Sequence, residues 1–404
     1  MNARHRRRFY VALGATLSLQ VGALVGACAS DGELDGVAPE DKGSPIPAPT
    51  IDAGGDVDAG CTGDDCKYYP AECTEDALCS GGLFDPSNPQ NGFDLRTSVL
   101  AFAARSPSDA WIGGSVGQLG HFDGTAWKPS TLGIQRSLAA IWLYGDAEVA
   151  FDLPSQLYTR GLDAGADAAV FLDGWSSFGS ATFTQRWPTG ATVATAWAHP
   201  DASTLWVGGA EAPSLAETLL WRLRRSETGA FTFSPLLNGD ALHLRNREIF
   251  RIHGSSPNEL WVVGSIGIAA RVSEAESETP SVTLYNTLTT VALNGVWQAA
   301  PNDVWTVGAT GTVRRYRGDP RCWEIYEDVP TKQHLRAIAG SSPNDIWIVG
   351  DEATVFHFDG TTWQRVKIAG LGLRRPRLEH VWVPSPGKVW IAGRGVLVSL
   401  GGKP

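Results

Sequence analysis

Acidic residues recur at one position of a short motif that the chain repeats. Four clear copies are "SPSDAWIGG" (106–114), "SPNELWVVG" (256–264), "APNDVWTVG" (300–308) and "SPNDIWIVG" (342–350). The acidic position holds Asp109, Glu148, Glu259, Asp303 and Asp345, with Thr204 and Lys388 in two further copies. A ring of carboxylates could bind a cation. An acceptor that closes each turn by bonding nearby backbone N–H groups explains the recurrence better, so we predict no metal site.

Large aromatic residues recur about eight residues before the aligned tryptophan of each copy. This position reads Ala103, Trp142, Trp197, His253, Trp297, Ala339 and Trp382 along the chain. The aromatic side chains could form a platform for sugars or peptides, and packing between neighbouring repeats is the alternative. The candidate ligand platform therefore consists of Trp142, Trp197, His253, Trp297 and Trp382. His121 and His357 have no metal-ligand spacing and are predicted to be structural.

The cysteines suggest disulfides in an oxidising compartment. Four of them, Cys61, Cys66, Cys73 and Cys79, lie close together with no histidine among them. Their spacing predicts two local disulfides of undetermined connectivity. A four-cysteine zinc site is the alternative, but the C-x4-C and C-x5-C intervals fit the usual C-x2-C pattern poorly. Cys322 is either a free thiol or a link to this cysteine-rich segment.

The tryptophan motif repeats along most of the chain. Aligned copies place Trp111, Trp206, Trp261, Trp305, Trp347 and Trp390 in register, and a degenerate copy at 139–152 puts Ala150 in the tryptophan position. Seven repeats within 97–404 therefore average about 44 residues, a period typical of propeller blades.

Each repeat reads as four short strands. In the copy at 334–366, "LRAIAG" suits a first strand, "SSPND" a turn and "DIWIVG" a second strand. That second strand is apolar on both faces, so it must be covered on both. "TVFHF" and "TTWQRV" follow around Asp359–Gly360, a hairpin signal that recurs at Asp123–Gly124 and Asp173–Gly174. The pattern predicts an all-β, seven-bladed β-propeller of four-stranded antiparallel blades, with six or eight blades as the alternatives.

The last repeat supplies three strands before the sequence ends. We expect its fourth strand to come from the other end of the ring, around 81–97. The cysteine-rich segment at 61–96 would then supply this ring-closing strand, and its disulfides would hold the strand in place.

The first residues form an export signal. Four arginines precede an apolar stretch from about Phe9 to Ala27, which small residues and Cys28 complete. An uncleaved membrane anchor is the alternative, because the run could just span a bilayer. Residues 28–60 are rich in Gly, Pro, Ala and Asp, which predicts a disordered acidic tether. The carboxylates of "DAGGDVDAG" lack the spacing and terminal glutamate of a calcium-binding loop.

The sequence "VGAC", ending at Cys28, resembles the lipobox of bacterial lipoproteins. The resemblance implies a signal peptide at 1–27, acylation of Cys28 and, because no aspartate follows it, an outer-membrane location. The S-P-x-D-[IV]-W-x-V-G unit resembles the propeller repeats of exported bacterial lipoproteins and, more loosely, BNR/Asp-box and YVTN propellers. That resemblance covers about 97–404 and implies the fold, not an activity.

"FRIHG" (250–254) resembles the F-R-I-P motif of sialidases, in which the arginine holds a substrate carboxylate. The other residues that a sialidase needs are not identifiable, so we predict no catalytic residues. We also predict no cofactor, since no phosphate-binding loop is present.

Charge narrows the range of partners. The chain has 33 Lys and Arg against 43 Asp and Glu, a net charge of −10, and cleavage before Cys28 would remove four arginines and leave −14. So acidic a chain is a poor nucleic-acid binder, because phosphate neutralisation dominates that affinity.

These features predict a monomeric, non-enzymatic envelope lipoprotein, anchored through its lipid, whose propeller binds an unknown protein or glycan. An outer-membrane assembly factor and a sialidase-like glycan hydrolase are the alternatives. Longer loops commonly carry recognition. The stretches at 159–174 and 208–231, which lengthen the second and third repeats, are therefore the expected recognition loops.

Overall fold

The computed structural model describes residues 64–84, 92–152, 156–165, 168–178, 182–183, 192–210, 218–238 and 247–402. The predicted signal peptide (1–27), Cys28, the tether (28–60) and Cys61 lie outside these residues. Within them, no helix is long and apolar enough to cross a membrane. The described helices are short 3-10 turns: Asp64–Tyr68, Ser115–Gly117, Leu172–Gly174, Ser265–Gly267 and Ala309–Gly311.

The described strands form seven sheets, and the predicted seven-bladed β-propeller is confirmed. β1 (Ala77–Ser80) precedes the first blade and belongs to the last. Blade one comprises β2 (Val99–Ser106), β3 (Asp109–Gly114), β4 (Gln118–Phe122) and β5 (Trp127–Thr131). Blade two comprises β6 (Ala140–Tyr144), β7 (Ala147–Asp152), β8 (Gln156–Arg160) and β9 (Trp175–Ser177). Blade three comprises β11 (Thr192–Trp197), β12 (Thr204–Ala210), β13 (Thr218–Arg225) and β14 (Phe231–Asn238), and β10 (Thr182–Phe183) pairs with β14.

The remaining blades follow the same order. Blade four comprises β15 (Ile249–Ser256), β16 (Glu259–Gly264), β17 (Ala269–Ser273) and β18 (Ser281–Tyr285). Blade five comprises β19 (Leu293–Ala300), β20 (Asp303–Gly308), β21 (Val313–Tyr316) and β22 (Glu324–Tyr326). Blade six comprises β23 (Leu335–Ser342), β24 (Asp345–Gly350), β25 (Val355–Phe358) and β26 (Trp363–Arg365). Blade seven comprises β28 (Leu378–Ser385), β29 (Lys388–Gly393), β30 (Val396–Leu400) and β1, and β27 (Lys367–Ile368) pairs with β1.

The first strands of the blades line the centre, where each contacts the first strand of the next blade and β2 contacts β28 to close the ring. In an antiparallel blade, the turn between strands two and three lies at the same end as the connection from the preceding blade. We call this end the upper face. The opposite end, which carries hairpins such as Ser106–Asp109, is the lower face.

The hydrophobic core consists of separate clusters between neighbouring blades. Trp305 of blade five and Ile348 of blade six lie in one such cluster, and Trp261 and Trp323 lie in the preceding one. Each second strand is apolar on both sides because it faces two of these clusters. The predicted two-sided burial of "DIWIVG" is therefore confirmed: every residue of β24 is buried.

Blade two differs from the predicted alignment by one residue. Ala150 pairs with Ile141 and faces Trp111 of blade one, whereas Val149 pairs with Trp142 and faces blade three. The first two strands of blade two lack the bulges that the other blades have, and a one-residue slip turns every side chain to the opposite face. The tryptophan position of blade two is therefore Val149, and the prediction of Ala150 is wrong.

The strand that completes blade seven lies slightly upstream of the predicted stretch. β1 at Ala77–Ser80 pairs antiparallel with β30, with Leu78 opposite Leu400. The closing strand thus comes from the predicted segment 61–96, but from 77–80 and not from the expected stretch around 81–97. Leu83 and Phe93, within that stretch, are instead buried between blades seven and one.

Local turn chemistry follows the sequence at most positions. Asp123 and Asp359 each accept two backbone N–H bonds from the residues that follow the adjacent glycine. Asp173 is different, because it lies with a φ of 58° in a 3-10 turn that ends a long loop. Its carboxylate accepts a hydrogen bond from the Ser130 hydroxyl of blade one. The hairpin predicted at Asp173–Gly174 is therefore wrong.

A disulfide joins Cys73 and Cys79 with an S–S distance of 2.06 Å, and Cys66 is also disulfide-bonded. Cys322 is a half-buried free thiol. No group of His, Cys, Asp and Glu in the described parts of the chain is arranged to hold a metal ion.

Candidate functional site

The acidic motif residues bond to side chains of the third strand. In blade six, Asp345 Oδ1 accepts hydrogen bonds from Trp347 Nε1 at 2.9 Å and His357 Nε2 at 2.8 Å, and His357 stacks on Trp347. Burial raises the pKa of Asp345, but bonds from His357, Ser341 and Trp347 outweigh it and hold the pKa below its ordinary value.

The pairing of the carboxylate with a basic side chain recurs in other blades, but Trp111, Trp261 and Trp305 Nε1 have no described hydrogen-bond partner. Asp109 bonds to His121 at 3.0 Å, Asp303 forms two 2.8 Å bonds with Arg315, and Glu259 pairs with Arg271. We call each set a tryptophan–cation–carboxylate unit. In blades one, five and six it holds the basic side chain against the indole ring, which is a packing role. The predicted backbone-capping role is wrong, because Ser106 and Ser342 accept the turn N–H bonds instead.

Blades two and three replace this unit with bonds between blades. Glu148 pairs with Arg105 of blade one at 2.8 Å as well as with its own Arg160. Thr204 accepts a bond from Arg224 and donates one to Glu276, which belongs to the loop between β17 and β18 of blade four. The two arrangements hold neighbouring blades together at the lower face.

A constant interval marks these basic partners in the sequence. A histidine or arginine follows the acidic residue by 12 positions in the pairs Asp109–His121, Glu148–Arg160, Glu259–Arg271, Asp303–Arg315 and Asp345–His357. The sequence prediction missed this interval for the arginines, although it is visible without a structure.

The candidate aromatic platform is divided among different gaps between blades. Trp142 and Trp297 are buried in separate clusters, and Trp382 packs against a third. Trp197 and His253 are half-buried, with ring centroids 5.7 Å apart. These five side chains therefore do not share one surface, and each contributes to packing towards the following blade.

Arg251 of the "FRIHG" segment crosses the central channel. Its Nη2 donates to the Glu379 carbonyl of blade seven at 3.1 Å, and its Nε donates to the Asn294 carbonyl of blade five at 3.4 Å. Enclosure by protein lowers the pKa of Arg251 despite the opposing effect of Glu379. Enclosure and the Arg251 charge together lower the pKa of His380 to about 3. This arrangement joins three blades across the channel.

The upper face carries strained and exposed turns. Val116, Ile266 and Thr310 have φ angles of 58°, 52° and 54° at equivalent turns of blades one, four and five. β-branched residues rarely adopt this left-handed region, which costs roughly 1–3 kcal/mol per residue. The Val116 and Ile266 side chains are each 49% exposed. Further exposed apolar side chains at this face are Leu100, Leu288 and Leu373.

The expected recognition stretches at 159–174 and 208–231 differ in structure. The loop from 161 to 174 connects strands three and four of blade two, so it lies at the lower face. Of the 17 described residues in 208–231, 12 belong to β12, β13 and β14, and the other five form the short turn at 226–230. Only 211–217, outside the described residues, separates β12 from β13. The described part of 208–231 is therefore strand and a short hairpin turn rather than a long loop, and its role in recognition stays a prediction.

Comparison with known proteins identifies the fold and no family. No family model and no curated protein matches the sequence. YCF48 from Cyanidioschyzon merolae is similar in structure, with a TM-score of 0.55 at 13% identity over 76% of this chain and 96% of its own. YCF48 bound to D1 peptide gives a TM-score of 0.54 at 16% identity, covering 76% and 92% of the two chains. Selenomethionine-substituted virginiamycin B lyase from Staphylococcus aureus gives 0.55 at 11% identity, covering 76% and 95%.

These likenesses establish a propeller fold only. The fold occurs here in a peptide-bound protein and in a lyase, so it does not by itself separate a binding scaffold from an enzyme.

Proposed function

We propose that this chain is an exported, lipid-anchored envelope protein whose propeller binds a protein or glycan without catalysing a reaction. The export signal and the lipobox ending at Cys28 support the location. The absence of an aspartate after Cys28 supports the outer membrane. Acylation at Cys28 would hold the propeller at a membrane through the acidic tether at 28–60.

The strained turns of the upper face carry the proposal for binding. Val116 and Ile266 adopt a backbone conformation that glycine or asparagine would adopt at lower cost, yet they present apolar side chains to solvent. Strain and exposed apolar surface together are typical of recognition sites. We infer that partner contact at the upper face is the role of these side chains.

A protein partner is the first candidate. A propeller of similar fold has been observed with a bound peptide, which is a precedent for the fold and not for this chain. An envelope-assembly role would be a special case of the same proposal, with assembly components as the partners.

Paired substitutions test the binding face. Val116→Asn combined with Ile266→Asn removes both apolar tips and suits the left-handed backbone, so folding should be retained or improved. Ile325→Asn is the matched control, because Ile325 is 52% exposed but lies on the outermost strand of blade five. Partners would be captured on lipidated wild type and both variants and quantified by mass spectrometry. A partner lost from the double variant and retained by Ile325→Asn supports the proposal. Equal recovery from all three chains contradicts it.

The anchor has its own test. Cys28→Ser should abolish labelling with a radioactive fatty acid and release the chain from membranes. Membrane association that persists in the Cys28→Ser variant would instead identify an uncleaved signal anchor.

A further inference from the structure

A cavity of about 400 Å³ opens where the N-terminal segment meets blade six. Asp65 and Tyr69 form one wall, the connection between blades five and six supplies Lys332 and Gln333, and the turn after β24 supplies Glu352. The volume is within the range of about 300–1,000 Å³ that is typical of small-molecule sites. The cavity lies apart from the turns at Val116 and Ile266, which belong to blades one and four.

The base of the cavity carries the hydroxyl group of Thr354. Thr354 is 2% exposed, and its Oγ1 forms no hydrogen bond with any described residue, although it lines the cavity. Phe356, 3% exposed, lies beside it and gives the base an apolar part. Because this hydroxyl lines the cavity and bonds to no described residue, it can donate to or accept from a ligand there.

The walls add groups of complementary chemistry. The Lys332 ammonium and the Glu352 carboxylate form no ion pair with a described residue, and the Gln333 side-chain amide has no hydrogen bond there. The cavity thus offers one cation, one anion, one amide and one hydroxyl that are free to bind a ligand. A ligand that satisfies all four needs several hydroxyl groups and a negative charge.

The wall formed by the N-terminal segment is held in place. Arg365 donates to Asp65 at 2.6 Å and to the Tyr69 hydroxyl at 3.0 Å, and Tyr69 donates to the Glu352 carbonyl at 2.9 Å. The Arg375 guanidinium lies 3.5 Å from the Tyr69 ring centroid. Glu352 itself has a φ of 54°, so its backbone is strained where it borders the cavity. The site is therefore preorganised.

We propose that this cavity binds a carboxylate-bearing sugar, a hexuronate of the kind found in acidic polysaccharides. The ligand carboxylate pairs with Lys332, its hydroxyls bond to Thr354, Gln333 and Glu352, and the carbon face of its ring covers Phe356. The lining contains three cationic groups, Arg365, Arg375 and Lys332, and two carboxylates, Asp65 and Glu352. Its net charge of +1 favours a ligand with one negative charge. This site does not depend on partner binding at the upper face.

Calorimetric titration of the full exported chain tests the site. Sodium glucuronate and a galacturonate oligomer are the probes, and methyl glucoside is the uncharged comparison. Lys332→Met and Thr354→Val should each weaken uronate binding about tenfold, because a hydrogen bond to a charged group is worth about 1.5–3 kcal/mol and a neutral one about 1 kcal/mol. Lys388→Met, at the lower face of blade seven, is the matched control and should bind as wild type.

The outcomes separate the parts of the proposal. Equal affinity for methyl glucoside and glucuronate would overturn the role of the carboxylate. Unchanged uronate affinity in both cavity variants would overturn the location, and no binding of either uronate by wild type would overturn the site. None of these results affects partner capture through Val116 and Ile266, which is measured separately.

Discussion

At the residue scale, a carboxylate that recurs at one motif position in five of the seven repeats need not bind a ligand or a metal ion. Asp345 orders His357 against Trp347, and Asp303 orders Arg315 against Trp305, whose ring centroid lies 4.4 Å from the guanidinium carbon. In each unit the carboxylate pairs with a basic side chain of its own blade. Such a pair offsets the desolvation penalty of its partly buried groups only while both groups stay hydrogen-bonded. Residues that break this pattern are therefore better guides to function than those that keep it.

His253 gives a pH prediction at this scale. Enclosure between blades, with a smaller effect of His199, lowers the pKa of His253 to about 4. Its Nδ1 accepts a hydrogen bond from the Gln298 backbone N–H, so it is neutral when folded. Because the unfolded pKa is about 6.5, its contribution is complete above pH 6.5 and is lost towards pH 4, at about 1.4 kcal/mol per pH unit.

His253→Asn should therefore flatten the fall in unfolding free energy between pH 6.5 and 4.5 by about 2 kcal/mol relative to wild type, since the asparagine does not titrate. Urea titrations at several pH values measure this difference. His334→Asn, at an exposed histidine, is the control. Parallel profiles for His253→Asn and wild type would show that this histidine does not govern the acid response.

At this scale the sequence shows which motif positions carry structural carboxylates, but not which side chains those carboxylates bond to. The motif identified Asp109 and Asp345 as structural, but bonds to His121 and His357 depend on the register of strands two and three. In blade two the first two strands pair without the bulges of the other blades, and Glu148 bonds across to Arg105 of blade one. The cavity was unpredictable for the same reason, since its lining comes from 65 to 375 in the sequence.

At the element scale, β1 is the strand on which the ring depends. Leu78 is fully buried in the cluster between blades six and seven, although its strand has only four residues. An ion pair also joins the residue before β1 to β27, because Lys367 lies 2.8 Å from the Asp76 carboxylate. The need for such a strand was predictable from the three-stranded last repeat. Its location was not, because four residues carry too little periodicity to distinguish them from the apolar residues that follow.

A chain that begins at Thr97 should melt at a lower temperature than one that begins at Cys61. The shorter chain leaves the edge of β30 unpaired and the Leu78 site empty. The point variant Leu78→Ala should lower the unfolding free energy by about 2–5 kcal/mol, as do other large-to-small substitutions in cores. Leu100→Ala, at a 37% exposed leucine, is the control. Equal melting temperatures for the two chain lengths would refute the closing role of β1.

At the scale of the whole molecule, the two faces are stabilised differently. The lower face carries the tryptophan–cation–carboxylate units and the inter-blade pairs of Glu148 and Glu276, so its charged groups are largely used in holding blades together. The upper face carries strained turns, exposed apolar tips and the cavity beside Thr354. The charged pairs are therefore concentrated at one end of the propeller, and the strained, exposed turns lie at the other, where we propose recognition. This division is visible only once the seven repeats are assembled into a ring.

Substitution of Arg251 tests how far the hydrogen bonds across the central channel stabilise the ring. Its guanidinium joins blades four, five and seven through the carbonyls of Asn294 and Glu379, and no blade can form these bonds alone. Arg251→Met keeps much of the side-chain volume and removes both bonds. The unfolding free energy should fall by about 2 kcal/mol, because bonds from charged donors are worth about 1.5–3 kcal/mol. The measurement is urea denaturation followed by tryptophan fluorescence, which reports on blades throughout the ring.

Arg317→Met is the control. Arg317 is an exposed arginine of the lower face, and its substitution should change the unfolding free energy by less than about 0.5 kcal/mol. If the two variants unfold alike, Arg251 contributes no tie between blades, and its carbonyl bonds merely replace bonds to channel water.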